Sequence, residues 1–452
     1  MNRTDPRPRV VIVGAGFGGL TLARRLRKAP VELLLIDRHN YHTFQPLLYQ
    51  VATAGLEPEE IAHAVRGIFQ RQHNFHFLLG TVTGVDLAAR RVRLADGTAI
   101  GYDYLVLAAG ASTNYFGTEG AETHAFPLKS LPDAVALRCH IIRQFEAADR
   151  DPALIDAGGL TFVVVGGGPT GVETAGALVE LFELVFSKDY PHLPVEKARV
   201  VLVEATDHLL GGFHPDSQAH ARRTLERRGV EVRTGDPVVR VTAEAVHLRS
   251  GDVIPTRTLI WAAGVRASPL ADRLGLEQTG GGRLVVEPDL SVPGHPEVFV
   301  LGDLAGSRDE DGNLHPQLAP VALQGARHVA RQIRRRLAGV PGEPFRYRDK
   351  GIMATIGRNA AVAELGFGLR TRGFLAWVMW LFLHLVMLIG FRNRLNVLVN
   401  WAWNYLTYDR SARLILDLPV SREAVARHDA APGPDLLTGK TVSETDLSAR
   451  RV

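Results

Sequence analysis

Two clusters of glycine carry the clearest chemistry in the chain. The first is Gly14-Ala15-Gly16-Phe17-Gly18-Gly19, preceded by the β-branched run of residues 10–13 and followed by a helical pattern over 20–28. A further apolar strand pattern, residues 31–36, ends at Asp37, 23 positions after Gly14. This is the order in which a dinucleotide fold is built. One glycine makes a tight turn, the second lets backbone approach a pyrophosphate, and the third lets helix pack on strand. The helix N-terminus offers unpaired N–H groups and a partial positive charge to the phosphates. The carboxylate of Asp37 is placed to accept from a ribose hydroxyl.

The pattern recurs at residues 160–165, then Gly166-Gly167-Gly168-Pro169-Thr170-Gly171, then a helix from Val172. The next strand pattern, 200–203, ends at Glu204, 38 positions after Gly166, where about 20 is usual. Residues 181–199 read as a helical extension plus loop that accounts for the excess. An acid at Glu204 favours a free 2′-hydroxyl over a 2′-phosphate, hence NAD over NADP.

The elements that must position these loops follow. Residues 104–110 (YLVLAAG) and 259–264 (LIWAAG) read as strands ending in small residues, Ala109-Gly110 and Ala263-Gly264, where backbone can approach a dinucleotide. Residues 298–303 (VFVLGD) form another strand, ending at Gly302-Asp303, with Asp303 placed to accept from a ribityl chain or, in the plainer reading, to cap a helix. Two dinucleotide folds in one chain pair a resident flavin with a diffusing nicotinamide. The predicted fold class is therefore α/β, with two Rossmann-like domains, the second inserted in the first, plus a C-terminal α-helical membrane-association region. The flavin domain takes 1–115 and 285–345, the NADH domain 116–284, the membrane region 346–415, and a polar tail 416–452.

Composition narrows the alternatives. The length of 452 residues suits two or three domains. With 46% hydrophobic and 22% charged residues the chain is not broadly disordered. The single cysteine, Cys139, excludes a disulfide scaffold, a Cys-ligated iron–sulfur cluster and a cysteine zinc site. No metal is expected. A net charge of +4 gives no case for nucleic acid. Residues 1–9 are polar and basic, and the four apolar residues before Gly14 are too few for a signal peptide. The body is expected in the cytoplasm.

Residues 373–391 (GFLAWVMWLFLHLVMLIGF) are 19 positions without a formal charge, and four of the five tryptophans lie between 377 and 403. Arginines flank both ends. Residues 346–415 hold ten Arg and Lys against three Asp and Glu, so the rest of the chain is net acidic. At about 1.5 Å per residue the run is about 28 Å long, enough for one transmembrane helix. Against a span, the arginines at both ends leave no charge asymmetry to set an orientation. The competing readings are a monotopic anchor lying in one leaflet, its basic rim facing anionic lipid, and a soluble dimer core. His384, in the middle of the run, is either functional or a neutral histidine bonded to a neighbouring helix.

With these residues in view, the sequence resembles type II NADH dehydrogenases, the single-subunit, non-proton-pumping NADH:quinone oxidoreductases of the two-dinucleotide flavoprotein superfamily. The more specific matches are residues 40–52 (NYHTFQPLLYQVA), 346–357 (RYRDKGIMATIG) and the C-terminal FRNR and NWAWNY. The resemblance implies non-covalent FAD on Gly14, Gly16, Gly19, Asp37 and Asp303. Ala15, Phe17, Gly18, Arg38, Ala109, Gly110, Gly302 and Ala319 line the same site. It implies NADH on Gly166, Gly168, Gly171 and Glu204, with Ala263 and Gly264. It gives Glu173 a role in nicotinamide positioning or proton handling, although a glutamate there can also simply complement a helix dipole. It places the helix after Pro320, about 321–337, with its N-terminus toward the flavin, and a quinone beside it. Many members have Ala-Gln where this chain has Ala319-Pro320, which leaves Gln317, Pro320 or Gln324 for the headgroup. It implies a membrane quinone, a bilayer surface and a homodimer as partners, at the cytoplasmic face of the cell inner membrane. The alternatives are a reductase of another acceptor, such as ferredoxin, and an NADH-binding redox-sensing flavoprotein.

Overall fold

The computed structural model describes residues 7–407, 409–410 and 412–416. The chain opens on β1 (Arg9–Val13), every residue of which is buried. Burial on both faces is what a β-branched run needs at the centre of a parallel sheet. Helix α1 (Phe17–Arg25) starts inside the glycine cluster, three residues earlier than the helical pattern suggests, because Gly18 and Gly19 are themselves helical. The chain returns as β2 (Glu32–Asp37), parallel to β1 from Arg9↔Glu32 to Val13↔Ile36. A short helix, α2 (Leu48–Ala52), falls in NYHTFQPLLYQVA. Strand β3 (Phe75–Leu79) then pairs outside β2, and β4 (Tyr104–Leu107) joins β1 on its other side.

From β4 the chain leaves this sheet through β5 (Ala111–Thr113) and builds a second one. Its elements are β6 (Phe126–Pro127), α3 (Leu131–Arg150), β7 (Thr161–Val165), α4 (Pro169–Leu181), β8 (Arg199–Glu204), β9 (Val230–Thr234) and β10 (Thr258–Trp261). The strand order is β6-β10-β7-β8-β9, all parallel. After α4 a π turn, Phe182–Phe186, and two short turns fill the long gap before β8. The chain returns through β11 (Val265–Ala267), antiparallel to β5, so both crossings lie in one two-stranded ribbon. Strands β12 (Ser291–Val292) and β13 (His295–Val300) then complete the first sheet, in the order β12-β13-β4-β1-β2-β3. Helix α5 (Ala319–Leu337) packs on α1, burying Ala326, Val329, Ala330 and Ile333 in one cluster with Leu20 and Leu22.

The C-terminal part is an antiparallel sheet, β14 (Gly351–Gly357), β15 (Ala360–Leu365) and β16 (Arg370–Gly373), followed by α6 (Phe374–Met387) and α7 (Phe391–Thr407). Strand β14 lies against α4 at a contact only glycine permits. A Cβ on Gly176 would sit 2.3 Å from the Ile356 carbonyl oxygen. The segment after α7 folds back on both domains. There Arg410 donates to the Thr53 carbonyl at 2.7 Å, Arg413 pairs with Asp189 at 2.9 Å, and Leu416 N–H donates to the Cys139 sulfur at 3.4 Å. The rest of the expected polar tail lies outside the described residues.

The transmembrane reading of residues 373–391 is corrected by this arrangement. Helix α6 has 14 residues, about 21 Å, against a hydrocarbon core of about 30 Å. It ends where Leu388 turns to an extended conformation and Gly390 takes a φ of +86°. No helix among the described residues is long and apolar enough to cross a membrane. The apolar residues lie instead along two successive helices. Phe374, Leu375, Phe382, Leu383 and Val386 of α6 are exposed, as are Phe391, Leu395, Val399, Trp403 and Leu406 of α7. The other face of α7 is polar and anchored inward: Trp401 donates to Gln50 at 2.8 Å and Asn404 to the Gly55 carbonyl at 3.2 Å.

The Gly176 contact generates a prediction. Gly176→Val forces β14 away from α4 and lowers stability by about 1–3 kcal/mol, the usual range for overpacking, read by urea or thermal unfolding. Unchanged stability would show that the two elements separate freely.

Candidate functional site

The two glycine loops repeat each other contact for contact. Gly14 has φ +108° and Gly166 φ +110°. A Cβ at Gly14 would lie 2.3 Å from the Ala108 carbonyl oxygen, and one at Gly166 2.6 Å from that of Ala262. The third glycines, Gly19 and Gly171, would place a Cβ 1.9 and 1.8 Å from the carbonyl oxygens of Gly14 and Gly166. The middle glycines, Gly16 and Gly168, meet nothing within 4 Å. The outer glycines therefore hold helix against strand, and the middle one leaves bare backbone facing open space, a cradle that a side chain would fill.

The acids repeat as well. Asp37 accepts from Ala15 N–H at 2.6 Å on one oxygen and from His39 N–H at 2.7 Å on the other. Glu204 accepts from Gly167 N–H at 2.5 Å and Thr206 N–H at 2.8 Å. Each carboxylate thus ties the end of its strand to the neighbouring glycine loop, with its oxygens at the edge of the cradle. His42 supports the first loop from below, its Nδ1 2.9 Å from the Ala15 carbonyl oxygen. Burial pushes this imidazole down to about 4, so it is neutral, and the carbonyl fixes Nδ1 as the donor.

Ala109 stands directly beside Gly14, and Ala263 beside Gly166. Gly110 and Gly264 lie at opposite ends of the β5–β11 ribbon. Ser268 N–H donates to the Gly110 carbonyl at one end, and Asn114 N–H to the Gly264 carbonyl at the other. The ribbon therefore joins the mouths of the two cradles. Gly302 abuts Ala322 in the first turn of α5, at a Cβ distance of 3.2 Å. This sets the N-terminus of α5, with Ala319 and Pro320, beside Asp303. Pro320 fits there because the first turn of a helix needs no donor from it. Asp303 lies inside a short 3-10 turn, Gly302–Leu304, and caps no helix. Its carboxylate is 3.6 Å from the Lys129 ammonium. Arg38 is exposed. Gln317 donates to the Asp303 carbonyl at 2.9 Å. Both ends of the Gln324 amide bond the backbone of Arg348, at 2.9 and 3.0 Å, so its polar groups already hold the segment leading into β14.

Glu173 faces away from the glycine loop, toward the C-terminal part, and is 8% exposed. One carboxylate oxygen accepts from Thr355 N–H of β14 at 3.3 Å and from the Trp380 indole of α6 at 3.2 Å. Both donors are uncharged. Burial raises the carboxyl to about 8, and the two hydrogen bonds only partly offset it. The acid is therefore protonated at neutral pH. From Trp380 an aromatic ladder runs back to the first loop. Trp380 stacks on His384 at 3.9 Å between centroids, His384 meets Phe44 at 6.0 Å, and Phe44 meets Phe17 at 5.8 Å. His384 bonds within its own helix, Nδ1 to the Trp380 carbonyl at 2.7 Å, and burial pushes it down to about 4. Thr355, Trp380 and Phe44 were not singled out by sequence reasoning. Their signal lay in the motif blocks at 40–52, 346–357 and 373–391, which mark these stretches without giving individual residues a role.

A pH prediction follows. Glu173 keeps its proton to about 8 in the fold but loses it near 4.5 when unfolded. Its stabilising contribution is thus complete below 4.5 and is lost as pH rises through 8. Glu173→Gln has nothing to titrate, so its melting temperature should gain on the wild type from pH 5 to 9. A difference that stays flat across that range would rule out the raised acid.

Comparison with known proteins places this arrangement. Residues 8–326 match the pyridine nucleotide-disulphide oxidoreductase family, and residues 350–408 match the NDH2 C-terminal domain. The chain is 41% identical over 427 residues to the type II NADH:quinone oxidoreductase Ndh of Mycobacterium tuberculosis, covering 91% of each. It is 32% identical over 373 residues to a type II NADH:quinone oxidoreductase of Staphylococcus aureus, 79% of this chain and 89% of that protein. In fold it is similar to NDH2 from Plasmodium falciparum in complex with NADH, with a TM-score of 0.81 at 19% identity, covering 91% of this chain and all of that one. A sulfide:quinone oxidoreductase from Aquifex aeolicus follows, with a TM-score of 0.68 at 18% identity, covering 88% of this chain and 95% of that one.

Proposed function

The chain belongs to the type II NADH:quinone oxidoreductases, and from that premise we propose how its own residues carry out the reaction. It is an FAD-dependent NADH dehydrogenase with quinone as acceptor. Bound FAD supplies a ring that accepts a hydride from NADH and yields two electrons to quinone. Residues 1–115 and 285–345 hold FAD. Gly16 presents bare backbone to the pyrophosphate, Asp37 and the exposed Arg38 flank the adenosine end, and Asp303 lies at the ribityl end. The open face at Gly16 and the carboxylate at its edge are what fit the group. The N-terminus of α5, with Ala319, would offer its positive end to a flavin held beside Asp303.

Residues 116–284 hold NADH by the same geometry, with Gly168 under the pyrophosphate and Glu204 at the adenine ribose. The acid at Glu204 supports NAD over NADP. Oxidation of NADH by quinone takes up one proton from solvent. Glu173, buried and protonated at neutral pH, is the group on this chain placed to hold it between the second domain and the C-terminal part. The aromatic ladder excludes water along the same path. Gln317 and Pro320, at the start of α5, are the proposed headgroup contacts, with Gln324 bracing Arg348.

The exposed apolar faces of α6 and α7 support a monotopic seat in one leaflet, with Arg370, Arg372, Arg392 and Arg394 at its rim. The proposed location is the cytoplasmic face of the inner membrane, where quinone enters from the bilayer and no step carries a proton across. A homodimer belongs to the same reading. A soluble acceptor is disfavoured by that apolar surface, the observation that carries the quinone assignment.

Purified protein should be yellow, oxidise NADH with a quinone and float with anionic vesicles. Colourless protein, or NADH oxidation indifferent to quinone, would sink the reading. Asp37→Ala should lose flavin, whereas Glu204→Ala should keep it and raise the KM for NADH by roughly tenfold, the loss of one or two charged hydrogen bonds. Flavin content and steady-state kinetics separate the two.

A further inference from the structure

The ribbon between the domains ends in a tight turn whose composition is unusual. Thr118 N–H donates to the Tyr115 carbonyl at 2.9 Å. The two central residues, Phe116 and Gly117, both have positive φ, +52° and +71°. Such a turn selects Asn, Asp or Gly at its first central position, and a bulky side chain there is strained. The strain is not offset by burial, because Phe116 is 64% exposed. The turn is nevertheless held firmly. Phe116 N–H donates to the Asn114 side chain at 3.0 Å, and the Asn114 carbonyl accepts from the Trp261 indole at 2.8 Å. Strain maintained by its surroundings, at an exposed aromatic residue, points to use rather than packing.

The ring's position says what use. It lies against Gly264, where a Cβ would be 3.0 Å from Cζ and 3.3 Å from Cε2. Gly264 is three residues past Trp261, which pairs with Val165 at the end of β7, directly before the second glycine loop. The ring thus stands at the C-terminal mouth of β7 and β10, where open α/β sheets take their ligands. Glu204 ends β8, on the other side of β7 from β10. A dinucleotide with its adenine ribose at Glu204 runs across β7 and extends its nicotinamide half over β10.

We infer that Phe116 is an aromatic wall of the NADH site, packing its bare face on the nicotinamide half of the dinucleotide. The inference rests on the NADH reading above. Phe116→Asn tests it, because Asn suits the turn. This variant should melt no lower than the wild type and keep its flavin. Its KM for NADH and its Kd for NAD⁺ should rise roughly fivefold, the loss of one aromatic contact, with kcat and the KM for quinone unchanged. Phe116→Tyr, which keeps the ring, should keep wild-type values. A folded Asn variant whose KM and Kd stay within about twofold of wild type overturns the proposal. So does a Tyr variant as impaired as Asn, because a retained ring would then fail to retain binding. A wild type that fails to oxidise NADH at all would instead defeat the functional reading beneath it.

Discussion

Backbone approaching backbone too closely for any side chain is the constraint on which this molecule depends. It occurs within each dinucleotide loop, where Gly19 and Gly171 come against Gly14 and Gly166. It occurs again where Gly176 of α4 meets Ile356 of β14. The first two contacts seat a helix N-terminus at the end of a strand and leave bare N–H groups facing outward. The third brings the C-terminal sheet close enough for Thr355 to reach Glu173, which sits three residues before Gly176 on the same helix. One helix therefore joins the second glycine loop at its start to the C-terminal sheet along its length.

The electrostatics follow from that packing. Asp37 and Glu204 are partly buried, each with two backbone donors, and keep their oxygens at the cradle edge. Glu173 is a carboxyl of similar chemistry in an opposite setting. It is buried and served by an indole and an amide rather than by a cation, so burial outweighs hydrogen bonding and the proton stays on. Two histidines, His42 beneath the first loop and His384 of the aromatic ladder, are pushed the other way by the same burial and stay neutral. Around Glu173 a protonated carboxyl thus stands beside the uncharged rings of Trp380 and His384.

The apolar face is built by breaking a hydrophobic run. A continuous helix over residues 373–391 would present apolar residues all round. The turn at Leu388–Gly390 ends that helix after Met387, and α7 then places Trp401 and Asn404 against the α2 region while Phe391, Leu395 and Trp403 face outward. Two short helices side by side give one broad apolar surface, where a single long helix would be apolar all round.

Local order in the chain was enough to determine the two glycine loops, their flanking strands and acids, and the small residues at Ala109-Gly110 and Ala263-Gly264. Each depends on neighbours within a few tens of residues and on the absence of a Cβ, and both are visible in a string of letters. The strained turn at Phe116 is local too, but its positive φ does not follow from residue types that usually avoid it. Only the tertiary structure decided what lies around Glu173, because Thr355 and Trp380 come from about 180 and 200 positions away. It also decided that Gln324 is taken up by Arg348, and that the apolar run breaks. Hydropathy counts residues along the chain, whereas these outcomes depend on which faces are covered when distant segments pack together.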